Sequence, residues 1–263
     1  MISKNPLKSK LRKNALTIGS WLQLGSPSAT EIMVQSGFEW LTVDMEHSVT
    51  SLETMQHLIQ IIEGYNSVPL VRVGENNPDL IKRVMDAGAY GVIVPMINSA
   101  DDAEKAVNAV KYPPMGTRGV GIARAHGYGR DFEGYVSIIN RQSVVIVQIE
   151  HIDAVKNLEE ILSVDGVDGC FIGPYDLSGS LGVPGNLEHK QVLNAVTRVE
   201  RICKKREMPL GIHIVDPDIS LMNRYMKAGY TLLAFSSDML LLEKTCREKI
   251  TALDRLRIGK DNV

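Results

Sequence analysis

The chain has 263 residues, of which 44% are hydrophobic and 23% are charged, and its formal net charge is -2 at pH 7. This balance is typical of a globular protein with a large core. The mixed charges indicate neither a nucleic-acid groove nor a membrane-binding patch, and the longest apolar stretches are well short of the roughly 20 residues that a membrane helix needs. We therefore expect no nucleic-acid partner and no membrane partner.

The N-terminal segment, MISKNPLKSKLRKNAL, is basic and lacks the apolar core of a signal peptide. Either a short amphipathic first helix or a transit peptide would explain it. The three cysteines, Cys170, Cys203 and Cys246, lie far apart and show no paired spacing. Reduced thiols in a cytoplasmic protein are therefore expected.

Eight short β-rich runs alternate with amphipathic helical segments along the chain. Most runs are continuously apolar, which is typical of parallel strands buried on both faces. They cover residues 16–22, 39–44, 68–73, 90–96, 143–149, 168–173, 209–215 and 231–236. Eight strand–helix units in one chain of this length predict an α/β fold, a (β/α)8 TIM barrel, as a single domain over residues 1–263.

The helical segments include residues 51–63, 78–87, 100–110, 154–162, 188–205 and 216–227. Several begin after Asp, Ser or Pro or end in Gly. The segment between the helix at 100–110 and the strand at 143–149 is unusually long and rich in Gly, Pro and Arg. A loop of that length in a compact domain is usually functional. Arg118 and Arg124 within it could therefore bind a carboxylate or could simply be exposed on the surface.

In such barrels the functional residues lie at, and just after, the carboxyl ends of the strands. The candidates at those positions are Trp21, Gln23, Asp44, Glu46, His47, Arg72, Gln148, Glu150, Tyr175, Asp176, His213, Asp216, Ser236 and Ser237. None of the eight strand runs contains lysine, so the chain offers no obvious nucleophile for Schiff-base chemistry.

Two acids follow neighbouring predicted strands, Glu150 after VVIVQI and Asp176 after GCFIG. Two carboxylates that meet at one edge of a barrel can hold a hard divalent cation, which completes its coordination with water or substrate oxygens. The alternative is that each acid complements the N-terminal dipole of the helix that follows it. Spacing alone leaves these two interpretations equal.

Two further residues are candidates for chemistry. His47 lies close to Asp44 in VDMEHS and could act as a general base, or it could be a loop histidine bonded to the backbone. Arg72 stands in an otherwise apolar strand and must be paired if it is buried. It could face an anion at the barrel mouth or form a structural ion pair with a neighbouring acid. His213 could contact substrate or fill the core.

Several motifs resemble one known family. They are SGFEWLTVDMEHS, PLVRV, IKRVMDAGA, YPPMGTRGVG, VQIE and DGCFIGPYDLSGSLG, and they extend from about Gly19 to the C-terminal helix. In this order they are similar to the metal-dependent class II 2-oxo-acid aldolases of the HpcH/HpaI type, in the phosphoenolpyruvate/pyruvate barrel superfamily. The resemblance implies an enzyme, a carbon–carbon lyase that cleaves or forms 4-hydroxy-2-oxo acids, releasing pyruvate and an aldehyde through a metal-stabilised enolate.

The resemblance also implies roles for matching positions. Glu150 and Asp176 would hold Mg²⁺, with Mn²⁺ or Co²⁺ as alternatives, and Gln148 would contact the pyruvate unit. Backbone groups around Gly173, Tyr175 and Asp176 would receive the pyruvate carboxylate. His47 would be the base, supported by Asp44 and by Asp86, the latter across a subunit boundary, and Arg72 would stabilise the enolate. A homo-oligomer, typically a hexamer, would form, with the last helix packed on a neighbour.

The sequence departs from the family pattern at two places. Tyr175 stands where the family usually has a small residue, and the stretch RGVGIARAHGYG is shorter than in degradative members. The sequence therefore does not identify the aldehyde. Two alternative functions also remain: a lyase or synthase for a CoA ester or citrate-like substrate, and a barrel that binds a 2-oxo acid without turning it over.

Overall fold

The computed structural model describes residues 4–258 of the chain, with side chains as far as Arg255. Eight parallel strands form a closed barrel in sequence order, and the last strand pairs with the first. They are β1 (Thr17–Leu22), β2 (Trp40–Asp44), β3 (Val68–Arg72), β4 (Gly91–Val94), β5 (Val144–Ile149), β6 (Gly169–Ile172), β7 (Leu210–Ile214) and β8 (Leu232–Ser237). The α/β TIM-barrel prediction is confirmed, and each predicted strand run overlaps one observed strand, with β8 ending one residue later than predicted.

Twelve α-helices are present in residues 4–258, with a short 3₁₀ turn at Arg124–His126. The helices are α1 (Pro6–Leu11), α2 (Pro27–Gln35), α3 (Leu52–Gly64), α4 (Pro78–Asp86), α5 (Ala100–Val110), α6 (Phe132–Gln142), α7 (Ile152–Lys156), α8 (Leu158–Ile161), α9 (Pro174–Ser180), α10 (Lys190–Arg206), α11 (Ile219–Ala228) and α12 (Asp238–Ile258). None of these helices is long and apolar enough to cross a bilayer.

The helix predicted at 154–162 is wrong as one element, because α7 and α8 are separated at Asn157. The Asn157 side chain donates to the Asn98 carbonyl, 2.8 Å away in the loop after β4. That bond connects the α7–α8 junction to the preceding strand–helix unit of the barrel.

The long segment before β5 is only partly a loop, because it contains α6. Tyr135 and Ile139 are one helical turn apart and both are buried. The segment connects the end of a helix to the start of a strand, so it lies at the amino-terminal face of the barrel, away from the functional face. Arg118 pairs there with Asp86, and Arg124 pairs with Glu63. Neither arginine reaches the barrel mouth of its own chain.

Helix α1 covers the amino-terminal end of the barrel. Leu7 and Leu11 are buried against a cluster of strand residues that includes Trp40. Lys8 is buried beside them and donates to the Ser143 carbonyl at 2.9 Å. Burial of an ammonium group is costly unless it is paired, and Asp168 supplies the opposite charge. This end is therefore closed, and the carboxyl end of the barrel is left as the open face.

Helix α12 contacts β1, β8 and α2. Beyond that contact it leaves the barrel, and every side chain of residues 245–255 is exposed. Ile250 and Leu253 are 49% and 51% exposed on this part of the helix. Residues 259–263 lie outside the described part of the chain.

Candidate active site

A cavity of about 440 Å³ opens at the carboxyl end of the barrel. Seven of the eight strand ends or the segments just after them contribute to the site around it. The lining residues are Trp21, Gln23, His47, Arg72, Gln148, Phe171, Ile172, Gly173, Pro174, Tyr175, Asp176, His213, Val215, Met239 and Leu240. The sequence candidates His47, Arg72, Gln148, Gly173, Tyr175 and Asp176 are thus brought together at one cavity.

Glu150 lies just behind the cavity wall, at the end of β5, and is 2% exposed. Its Oε1 accepts a hydrogen bond from the Met96 backbone N–H at 2.7 Å, and its Oε2 accepts one from the Gln148 side chain. Met96 has a positive φ of 53°, which turns the backbone after β4. Burial raises the pKa of Glu150, and the neighbouring Asp176 charge adds to the effect despite these hydrogen bonds and Arg72.

Gly173 allows the end of β6 to approach Glu150 closely. A Cβ atom at position 173 would lie 2.7 Å from Glu150 Oε2 and 2.8 Å from Glu150 Cβ. Only glycine therefore fits between the two strand ends. Asp176 follows in the first turn of α9 and is exposed. It makes no side-chain capping bond there, and His151, not Glu150, caps α7.

The donor set at this point fits a hard divalent cation that also binds substrate oxygens. Gln148 is 3% exposed, and its buried Oε1 has no hydrogen-bond partner among the described residues. Glu150 is a buried carboxylate whose pKa is raised chiefly by burial and also by the charge of Asp176. Within residues 4–258 no group of three or more His, Cys, Asp or Glu side chains could hold a metal alone. A two-carboxylate site completed by other oxygens is therefore the form that fits.

The guanidinium of Arg72, at the end of β3, forms ion pairs with two acids at and just after the end of β2. Its Nε donates to Asp44 Oδ1 at 2.9 Å and one Nη donates to Asp44 Oδ2 at 2.7 Å, which is the two-point fork typical of arginine and carboxylate. Its other Nη lies 2.9 Å from Glu46 Oε2. Burial raises the pKa of Asp44, but the Arg72 hydrogen bonds and charge outweigh that effect, so its pKa falls below the usual value.

Glu46 is the charged neighbour of both Arg72 and His47. Burial is the main cause that raises the pKa of Glu46 to about 7. The charge of Arg72 opposes this shift, and the charges of Glu150, Asp44 and Asp176 add to it. His47 Nε2 lies 3.9 Å from Glu46 Oε2, and the imidazole is 61% exposed. The exposed ring is free to reach a ligand in the cavity.

Asp44, which the family resemblance implies as a support for His47, contacts the backbone of His47. From His47, Asp44 accepts a hydrogen bond from the backbone N–H, at 3.4 Å, and from Glu46 it accepts one from the backbone N–H at 3.1 Å. Its carboxylate is already occupied by Arg72 and by Gln23 Nε2, at 3.1 Å. The carboxylate that lies next to the imidazole belongs to Glu46. In this site Asp44 therefore positions Arg72.

Trp21 and His213 complete the inner wall, and the sequence assigned them no definite role. The Arg72 guanidinium carbon lies 4.3 Å from the Trp21 ring centre, a cation–π arrangement. The His213 and Trp21 rings are 5.3 Å apart. Burial lowers the pKa of His213 to about 4, so it is neutral near pH 7. Both residues stand at carboxyl ends of strands, which is the signal that placed them among the sequence candidates.

Asp86 is the one predicted site residue that lies far from the cavity of its own chain. It is at the end of α4, at the amino-terminal face, where it pairs with the buried guanidinium of Arg118. Two tyrosine rings flank that guanidinium, Tyr112 at 4.5 Å and Tyr135 at 5.9 Å. A role for Asp86 beside His47 therefore requires a second copy of the chain.

A closed parallel barrel with catalytic residue types gathered at its carboxyl face is an enzyme architecture. The sequence profile of the HpcH/HpaI aldolase/citrate lyase family matches residues 17–244. The chain belongs to this family, and it is a carbon–carbon lyase.

Individual relatives agree with this assignment. The chain is 40% identical over 244 residues to 2-dehydro-3,6-dideoxy-6-sulfogluconate aldolase of Pseudomonas putida, covering 92% of this chain and 94% of that one. It is 37% identical over 248 residues to 2-keto-3-deoxy-L-rhamnonate aldolase of Escherichia coli strain UMN026, covering 94% and 92%. A crystal structure of an HpcH/HpaI family protein from Burkholderia cenocepacia J2315 superposes with a TM-score of 0.91 at 36% identity, covering 95% of this chain and 100% of that one.

Proposed function

We propose that the protein is a divalent-metal-dependent aldolase that cleaves or forms 4-hydroxy-2-oxo acids, with pyruvate and an aldehyde as the two partners. The observation that carries the proposal is the meeting of two acids, an arginine and an exposed histidine at one cavity. The two curated relatives described above are aldolases by name, which supports the same reaction class.

Glu150 and Asp176 would hold the divalent ion, with Gln148 Oε1 directed at the same region. When bound, such an ion supplies a Lewis acid that polarises the 2-oxo group of the substrate. Mg²⁺ is the expected ion because the donors are all oxygen, and Mn²⁺ or Co²⁺ are alternatives. Gly173 leaves room for the small oxo acid beside Glu150, and the backbone from Gly173 to Asp176 would receive its carboxylate.

Arg72 stabilises the negative charge that develops on the 2-oxo oxygen during cleavage. The two hydrogen bonds to Asp44 use two of its five N–H groups, and the others remain for Glu46 and for a ligand. Asp44 and the Trp21 ring hold the guanidinium in position before the substrate arrives. A preorganised donor of this kind lowers the barrier because it needs no rearrangement during the reaction.

His47 acts as the general base. It takes the proton of the C4 hydroxyl, the C3–C4 bond breaks, and C4 leaves as the aldehyde carbonyl. The electron pair of that bond passes to the enolate of pyruvate, which is then protonated at C3. Glu46, 3.9 Å from Nε2, is the carboxylate in this chain that can stabilise the imidazolium.

A homo-oligomer would complete this machinery. Asp86 can approach His47 only from a neighbouring copy, as the family resemblance implies for a hexamer. Apolar side chains lie exposed in the segment next to the Asp86–Arg118 pair, with Val120 at 59%, Ile122 at 72% and Tyr128 at 69%. Exposed apolar groups grouped in this way are typical of subunit contacts, and the outer half of α12 offers a second such surface.

Release of pyruvate from a panel of 4-hydroxy-2-oxo acids, with and without added Mg²⁺, Mn²⁺ or Co²⁺, tests the proposal. We expect metal-dependent release that a chelator abolishes. Deuterium exchange into the pyruvate methyl group provides a second measurement, because it reports enolisation without any aldehyde. The absence of both activities with all three metals would contradict the proposal and favour a barrel that only binds the oxo acid.

A lyase or synthase for a CoA ester or a citrate-like substrate is the second candidate, because the family description includes citrate lyase. A CoA pocket needs a cluster of basic residues for its phosphates. Among the described residues that line the cavity, Arg72 is the only lysine or arginine. Turnover of acyl-CoA esters together with no turnover of 4-hydroxy-2-oxo acids would establish this alternative.

A further inference from the structure

The cavity is acidic at its base, around Glu150 and Asp176, and apolar along the part of its wall that we call the outer wall. Val215 follows β7, Met239 and Leu240 lie in the first turn of α12, and all three line the cavity. Tyr175, in the first turn of α9, lines the same cavity and is 53% exposed. The part of a substrate that extends outward from the two acids therefore meets aliphatic side chains and one phenol ring.

This wall supplies no positive charge. Arg72 is the only lysine or arginine among the described residues lining the cavity, and it is already paired with Asp44 and Glu46. His213 is kept neutral by burial, which lowers its pKa to about 4. His47 must be neutral to act as the base. No described group at the cavity is thus free to neutralise a second anion.

The charge balance of the site also disfavours a second anionic group on the substrate. Asp44 and Glu46 pair with the guanidinium of Arg72, and Glu150 and Asp176 lie at the same end of the barrel, just after β5 and in the first turn of α9. Even with a divalent ion bound, negative charges outnumber positive ones once the carboxylate of the oxo acid is counted. A second anionic group at this site would be repelled by these like charges.

His213 offers a specific polar contact in place of charge. Its Nε2 lies 2.9 Å from the Ser236 carbonyl oxygen. Because a carbonyl only accepts, Nε2 carries the proton, and Nδ1 is left as an acceptor. The ring lies against Trp21, with the ring centres 5.3 Å apart and the planes inclined by 33°, and this contact together with the Ser236 bond holds its orientation. A substrate hydroxyl can donate to this nitrogen.

We propose that the aldehyde half of the substrate is uncharged, carries a hydroxyl that donates to His213 Nδ1, and ends in an apolar or neutral group against Val215, Met239 and Leu240. This inference rests on the proposed aldolase function. It excludes aldehydes that end in a sulfonate, phosphate or carboxylate as preferred substrates.

Four 4,5-dihydroxy-2-oxo acids that differ only at carbon 6 would test the inference. Carbon 6 is a methyl, a hydroxymethyl, a methylene sulfonate or a carboxylate, and the purified protein is assayed with Mn²⁺. We expect kcat/KM for the two uncharged compounds to exceed that of the two anions by at least about tenfold, which corresponds to one such repulsion only partly screened. Equal or better cleavage of either anion would overturn the inference.

Failure of the underlying function gives a different result. If pyruvate methyl exchange occurs but none of the four compounds is cleaved, the inferred aldehyde class is wrong while the enolate chemistry stands. If exchange is also absent, the aldolase proposal itself fails. The two outcomes are distinguished by the exchange measurement alone.

Substitutions at the outer wall provide the matched test. Met239→Lys places a cation on that wall at a position that is 42% exposed, and it should reduce the preference for uncharged substrates about tenfold. Met239→Gln has a similar length without charge and should keep the preference. Leu242→Lys adds the same charge on the same helix at a 57% exposed position outside the cavity lining. A loss of preference in Leu242→Lys equal to that in Met239→Lys would contradict a local effect of the wall.

Discussion

Arg72 and Asp44 form a two-point ion pair at the barrel mouth, with Nε to Oδ1 at 2.9 Å and Nη to Oδ2 at 2.7 Å. Asp44 is fully buried and the Arg72 side chain is 12% exposed. The pair is therefore fixed by geometry that only a planar guanidinium can match. It connects the fold to the chemistry, since it holds a positive charge beside the proposed oxo-acid site.

Arg72→Lys should lower kcat for pyruvate release by about 100-fold or more. An ammonium group keeps the charge but cannot donate to both Asp44 oxygens and to the substrate, and loss of one preorganised donor typically has an effect of this size. Steady-state kinetics would measure it, and thermal unfolding would show whether the fold survives. Arg83→Lys, on the outer surface of α4, is the control. Near-normal kcat in Arg72→Lys would exclude the proposed role.

Gly173→Ala should remove activity and weaken metal binding, because the new Cβ would lie 2.7 Å from Glu150 Oε2. Overpacking of this kind costs about 1–3 kcal/mol in stability, so the folded fraction must be measured alongside. Gly179→Ala is the matched control. It lies on the same helix as Asp176, and a Cβ there meets nothing within 4 Å. Equal activity in the two variants would contradict the close approach of β6 to Glu150.

Glu46 should make the metal-free protein less stable as the pH rises from about 4.5 to about 7. Its folded pKa is raised from 4.5 to about 7, chiefly by burial. In that interval the folded state holds a proton that the unfolded state releases, so the free energy of unfolding falls with increasing pH. Urea unfolding at several pH values would measure the slope. Glu46→Gln should flatten this slope, and an unchanged slope would show that Glu46 does not titrate in this interval.

Ile250→Glu should reduce the size of the assembly measured by light scattering. Ile250 is 49% exposed on the part of α12 that leaves the barrel, and a carboxylate in a subunit contact is costly to bury. Ile219→Glu on α11, at a position that is 64% exposed, is the control. An unchanged assembly in the first variant, or a change only in the second, would place the subunit contact elsewhere than α12.

The positions of the strands could be predicted because continuous apolar runs are required wherever both faces of a sheet are buried. Gln148, Gly173 and Asp176 could be placed at one face for the same reason, since every parallel strand ends there. Tertiary contacts could not be predicted in this way. The Asn157 side chain at the helix break binds a carbonyl 59 positions earlier in the chain, and no local pattern records such a partner.

The different electrostatic roles of Asp44 and Glu46 could not be predicted from the sequence either. Asp44 and Glu46 stand two positions apart in VDMEHS. The register of β2 and β3 pairs Asp44 with Arg72, so Asp44 forms the two-point ion pair with the guanidinium. Glu46 is therefore the acid that lies beside His47. The long segment with Arg118 resembled a functional loop by composition. Its position between a helix end and a strand start puts it at the opposite face of the barrel.

The most direct measurement is a crystal structure with Mn²⁺ and pyruvate, in which anomalous scattering locates the metal. We expect a single strong peak within coordination distance of Glu150 and Asp176, with pyruvate oxygens completing the coordination and Arg72 facing the 2-oxo oxygen. A cavity without a peak at saturating Mn²⁺, or a metal bound away from these two carboxylates, would contradict the proposed chemistry.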